Sequence, residues 1–311
     1  MTIAVYLAIY AGAAMFLAGC LRRILIYARA PLHLRWELYP VPHEDPARAE
    51  HGGSYFESAG WWHKPQVFHR CREWMAMFQE IAFLKSLREF NPRLWIPSFL
   101  FHGGLYLWIA SLILMMAATL PGALTPELQI ARLSVALLPA AAWAGFAGEI
   151  LVIAGALLLL LRRMTDVSLK NYTKAGDIFN LLFFIVAFAF LAAGFVIHGS
   201  NAASMGEIAR GILRFDRGTD IGVVLGTGLM LTSALAAWIP FTHMSHFIAK
   251  YFTWHSVRWD DRRMERGSAM ESKVAGYMNY HPTWAALHLA ANGEKSWAEI
   301  AASAPAQEAK K

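Results

Sequence analysis

His102 and His246 are the side chains in this sequence whose type and setting point most directly to chemistry. Each lies inside a long apolar stretch, His102 within residues 94–116 and His246 within residues 221–248. An ionisable side chain at membrane depth costs free energy, so its presence there points to function. Neutral imidazole is also the commonest metal-ligating side chain. One such ring from each of two helices is the axial pair that a haem iron between membrane helices needs. His243, three residues before His246, shares its side of a helix and is the alternative ligand. His198 ends another apolar stretch and stands apart from the other three.

The elements that must position these residues follow from hydropathy. Crossing about 30 Å of hydrocarbon at about 1.5 Å per residue takes about 20 apolar residues. Five segments qualify, near residues 3–20, 95–120, 133–161, 178–197 and 221–248. The first lacks a basic leader and runs into Arg22 and Arg23, which predicts a retained helix rather than a cleaved signal. Arg and Lys crowd the segments after spans one, three and five, whereas the opposite side holds only Arg132, Arg210, Arg214 and Arg217. That bias predicts an external amino terminus and a cytoplasmic carboxyl tail. The net charge of +6 then reports topology and affinity for anionic lipid, not for nucleic acid.

With this orientation, span two runs outward and span five inward, so His102 and His246 both fall in the cytoplasmic half, within reach of one iron. His198 lies on the outer side, too far to share it. The two cysteines, Cys20 and Cys71, are too few for an iron–sulfur cluster, a thiolate zinc site or covalent c-type haem. Electrons moving through this chain must therefore be handed to another subunit. Gly103, Gly104, Gly145, Gly148 and Gly155 permit close approach of helices or of a macrocycle. Pro240 is expected to bend the fifth span or free a carbonyl there.

The first loop begins with a stiff path through Pro40, Pro42 and Pro46. Residues 67–90 then mix Trp74, Met75, Phe78, Ile81, Phe83 and Leu84 with Arg70, Arg72, Lys85 and Arg88, a basic amphipathic helix suited to a membrane surface or a partner. His33, His43, His51, His63 and His69 lack metal-ligand spacing and read as solvated or interface loop.

The stretches LLLLLRRMTDVSLKNYTKAGD (157–177) and IPFTHMSH (239–246) resemble the gamma subunit of respiratory nitrate reductase. That family is a five-helix cytochrome b that oxidises quinol and passes electrons to a cytoplasmic iron–sulfur protein. The resemblance implies that His246, after Pro240, Phe241 and Thr242, and His102 ligate the haem on the cytoplasmic side. The family's ligands for an outer haem map onto Leu112 and Gly228, neither of which binds iron. One haem b is thus implied, with a second only if His198 supplies a ligand. Residues 31–44 (PLHLRWELYPVPHE) and 251–261 (YFTWHSVRWDD) look like a branch found in transmembrane complexes of sulfate-reducing and sulfur-oxidising bacteria. There the partner is a cytoplasmic iron–sulfur subunit resembling the heterodisulfide reductase catalytic chain, sometimes with a periplasmic multihaem cytochrome c.

Glu149, near the middle of span three, is a carboxyl at a depth where charge is avoided unless it pairs, meets a polar cavity or stays protonated. It is read as a proton carrier or quinone-site residue, against a neutral hydrogen-bonded acid inside the bundle. Asp177, at the start of span four, favours the positive helix end as a cap. The fold expected is an all-α integral membrane bundle: residues 1–20 the first helix, 21–93 a cytoplasmic loop, 94–249 a four-helix haem-binding bundle, and 250–311 a cytoplasmic tail. The function expected is the quinol- or quinone-reactive electron-transfer subunit of a multi-subunit oxidoreductase in a bacterial or archaeal inner membrane, with menaquinone or another quinone as substrate. The competing readings are a haem-free membrane anchor for a soluble redox enzyme and, with thinner support, a transporter.

Overall fold

The computed structural model describes residues 1–29, 47, 59–60, 63–64, 69–124, 131–198, 202–258, 265–283 and 291–303. The stretch 31–44 with His33 and His43, as well as Pro46 and His51, lies outside the described residues. All regular structure among the described residues is helical. Five helices are long and apolar enough to cross a membrane, and the protein is a multi-pass all-α membrane protein.

In chain order the helices are α1 (Thr2–Ala28), α2 (Arg70–Phe83), α3 (Lys85–Phe90), α4 (Pro92–Leu124), α5 (Ala131–Thr165), α6 (Val167–Lys170), α7 (Ala175–Ile197), α8 (Ala202–Arg214), α9 (Val223–Trp238), α10 (His246–Arg258), α11 (Ala269–Met278) and α12 (Trp297–Ala302). The chain divides into two compact units, one of residues Met1–Arg22 and Cys71–His246, the other of Arg23–Arg70 and Phe247–Lys311. The first unit carries every site residue. In the second, Tyr27 and Phe252 pack with ring centres 5.7 Å apart, and Ser268 and Ser296 cap α11 and α12.

Helix α4 starts with Asn91 Oδ1 accepting the Leu94 N–H at 3.1 Å and Pro92 in the first turn. It runs antiparallel to α5 at backbone distance. A Cβ on Gly155 would lie 2.4 Å from Phe101 N, one on Gly148 2.8 Å from Trp108 N, and one on Gly104 2.7 Å from Val152 N. These glycines serve helix contact, whereas Gly103 has nothing within 4 Å of its Cβ position.

Phe101, Val152, Ala156, Phe184, Phe188 and Leu235 form one apolar core among α4, α5, α7 and α9. A second, of Val5, Tyr6, Leu191, Ile208, Ile221 and Leu225, fills the opposite end. Trp108 packs against both.

Three features differ from the sequence expectation. The fifth span is not one helix to residue 248: α9 ends at Trp238, and two 3₁₀ turns, Ile239–Phe241 and His243–Ser245, precede α10. Pro240 has no N–H to continue the ladder, and the Thr242 hydroxyl instead caps the second turn by accepting the Met244 N–H at 3.2 Å. The amphipathic segment is broken at Leu84, which adopts φ 51°. The Glu80 carboxylate folds back there to accept the Ser86 N–H at 2.9 Å. Helix α8 was not expected, because its polar face hides its length from a hydropathy reading.

Candidate functional site

His102 lies half-buried on α4, one residue beyond Phe101, whose backbone rests on Gly155. His246 stands at the head of α10, where the 3₁₀ turns aim the chain back at α4. The two imidazole centres are 6.1 Å apart, with ring planes inclined at 73°. His102 Nδ1 is 2.7 Å from the Ser98 carbonyl oxygen. A carbonyl has no proton to give, so Nδ1 carries the hydrogen, and in the neutral ring Nε2 keeps its lone pair. This is the tautomer lock that ligating histidines use.

The structure separates His243 from this pair. Its Nε2 lies 3.3 Å from Asp177 Oδ1, and its side chain is 59% exposed. Asp177 also accepts the Lys174 N–H at 2.9 Å and meets Arg163 at 3.6 Å. The cap foreseen for Asp177 is therefore also the junction that ties α5 and α7 to the turn before His246. Sequence reading missed this, because the pairing needs three elements far apart in sequence. It also missed two hydrogen bonds that fasten the α2 end beside α4: Tyr106 donates to the Ile81 carbonyl and Trp95 to the Phe83 carbonyl, each at 2.8 Å. They satisfy two carbonyls freed by the break at Leu84.

His198 caps the far end of α7 and faces Gly222, whose Cβ position lies 2.3 Å from its Nε2. Gly222 has φ +67°, which suits glycine, so the ring packs against backbone where α9 begins. That end is closed by direct helix contact. A Cβ on Gly194 would lie 2.6 Å from Leu225 Cα, and one on Gly228 2.7 Å from Leu191 N. The last turn of α8 and the loop after it are tied to α1 by Tyr10 and Tyr6, which donate to the Ile212 and Asp216 carbonyls at 2.8 Å.

Glu149 is 8% exposed. Trp108 lies within hydrogen-bonding reach of its carboxyl, and its Oε2 has no partner. Among the described residues, no three His, Cys, Asp or Glu side chains gather as a metal site. Two histidines are too few for tetrahedral zinc, whereas a pair of imidazoles would suit a haem iron.

The family profile of the nitrate reductase gamma subunit matches residues 90–259. No curated protein sequence matches the chain.

Proposed function

The chain belongs to the nitrate reductase gamma-subunit family, whose members are membrane cytochrome b subunits of oxidoreductase complexes, and on that premise we propose that His102 and His246 hold a single haem b. The observation that carries this reading is their ring separation. The imidazole centres of His102 and His246 stand 6.1 Å apart, and such a pair would hold the iron of a haem b. The Ser98 carbonyl fixes the ligating tautomer of His102. When bound, the haem supplies one-electron redox chemistry. The chain's own contribution is the ligand pair, the apolar slot beside Phe101 and Phe184, and the hold of Asp177 on the turn leading to His246.

His243 is assigned to Asp177 rather than to iron, and His198 to the α7–α9 junction. The close approach of Gly228 to the Leu191 backbone supports one haem rather than two. The bundle then moves electrons between membrane quinone or quinol and an iron–sulfur partner on the histidine side, taken as cytoplasmic from the cation bias. The sequence likeness of residues 31–44 and 251–261 supports a partner resembling the heterodisulfide reductase catalytic chain, with a periplasmic multihaem cytochrome c as a further component.

The test is the haem-to-protein ratio of the purified chain by pyridine haemochrome, repeated for His102→Ala, His246→Ala, His243→Ala and His198→Ala. The reading requires one haem per chain, lost in the first two variants and retained in the last two. A folded chain without haem would support the anchor instead, and two haems would overturn the single-site assignment.

A further inference from the structure

Glu149 stands out among the buried polar side chains of the bundle. Ser111, Thr119 and Thr232 donate to carbonyls of their own helices, and Asn180 accepts from Trp238 at 2.9 Å. Glu149 Oε2 has no such partner; the only other partnerless buried side-chain N or O among the described residues is Arg162 Nε, at a helix end. An unsatisfied buried polar atom is costly and calls for a physical reason. A partner for this oxygen would donate to the ionised carboxylate or accept from the protonated acid.

The register of α4 on α5 fixes where this oxygen sits. Gly148 meets Trp108 and Val152 meets Gly104, so Glu149 stands level with Leu107. That is five residues further along α4 than His102, about 7–8 Å at the helical rise. Beyond it the bundle is closed by the second apolar core and the α7–α9 contact. An aromatic row runs from this level to the lipid face. Phe146, one turn from Glu149, stacks on Phe195 with ring centres 5.0 Å apart. Trp143 packs edge-on against Phe195 at 5.6 Å and is 55% exposed.

We propose that Glu149 and Trp108 form the head-group subsite for a membrane quinone, at mid-bilayer on the far side of the histidine pair, with the Trp143–Phe195–Phe146 row as its apolar approach. This rests on the electron-transfer reading above and gives its substrate a place. The chemistry matches the orphan oxygen: a quinone carbonyl accepts a hydrogen bond from a protonated carboxyl, and a quinol hydroxyl donates one to a carboxylate. The single indole N–H of Trp108, within reach of the Glu149 carboxyl, orients that carboxyl, and aromatic rings stack with the head group at offset geometry.

The experiment is equilibrium dialysis of menadione, a naphthoquinone without a prenyl tail, against the purified haem-loaded full chain and its Glu149→Leu and Glu149→Gln variants. Haem content and thermal unfolding are measured on the same samples. Saturable binding of one menadione per chain is expected, with Kd raised about tenfold or more in Glu149→Leu. A smaller rise is expected in Glu149→Gln, whose amide still hydrogen-bonds but cannot take the proton. Haem content should be equal in all three. If wild type binds and both variants bind equally, the subsite lies elsewhere and the electron-transfer reading stands. If wild type with full haem does not bind menadione, the subsite and the quinone part of the functional reading both fail, and the haem assignment is untouched.

Discussion

Two adjacent glycines beside His102 permit a sharp test of the packing that positions it. Replacing Gly104 by Ala would put Cβ 2.7 Å from Val152 N, 2.8 Å from the Gly148 carbonyl oxygen and 2.9 Å from Leu151 Cβ, where ordinary contact begins at 3.4 Å. Two of these are backbone atoms, which cannot rotate away. The helices must open by about 0.7 Å, and a gap of that size forfeits about a quarter to a half of each dispersion contact along the seam. The cost of such overpacking is about 1–3 kcal/mol. At Gly103 the same methyl meets nothing within 4 Å. Both substitutions gain the same helix propensity, about 1 kcal/mol, so the difference between them isolates the steric term. For a chain of this size that difference corresponds to about 2–12 °C in Tm. Thermal unfolding by circular dichroism in detergent should therefore rank Gly103→Ala above Gly104→Ala. Haem affinity should follow the same order, because α4 carries His102 when it moves. Coincident melting of the two variants would refute the backbone-contact account.

Two more outcomes follow from the same geometry. Restoring the absent histidines as Leu112→His with Gly228→His should not add a haem and should lower thermal stability by at least the about 1–3 kcal/mol of overpacking, because a Cβ at residue 228 already lies 2.7 Å from Leu191 N; a second haem with unchanged melting would contradict this. At the α5–α6 junction the Ser168 hydroxyl, then the Ser168 N–H and Arg162, hold the Asp166 carboxyl below the usual aspartate range despite an opposing desolvation effect. A depressed folded-state pKa contributes stability that is present above the ordinary value of 3.8 and lost as pH falls through the folded value. Amide exchange in residues 167–170 should therefore accelerate only below about pH 4, and Asp166→Asn should remove that dependence; uniform protection through this window would count against the cap.

The spans were legible because a membrane helix must satisfy its backbone internally and shows this as a run of apolar residues. His102 was legible as a costly polar residue within such a run, whereas His246 stands beyond the last apolar span, which ends at Phe241. The choice between His243 and His246 was not legible. A continuous helix places them one turn apart, and only the 3₁₀ segment after Pro240, with Asp177 drawing His243 away, sends His246 to His102. The break at Leu84 was hidden too, since leucine is a good helix former and its left-handed φ comes from the Glu80–Ser86 and Trp95–Phe83 bonds around it. Helix α8 escaped because amphipathicity, not hydropathy, marks it.

The glycines decide where a cofactor fits as much as the histidines do. On α4 and α5 the seam glycines bring the backbones together, while Gly103 leaves open space next to His102. On α7 and α9 the same device works the other way: Gly194 and Gly228 let the helices touch, and no slot remains between them. A histidine at residue 228 would need these helices apart. Under the single-haem reading, the proposed quinone subsite lies between the histidine pair and this closed helix contact. Glu149, the buried acid whose Oε2 lacks a partner, stands there.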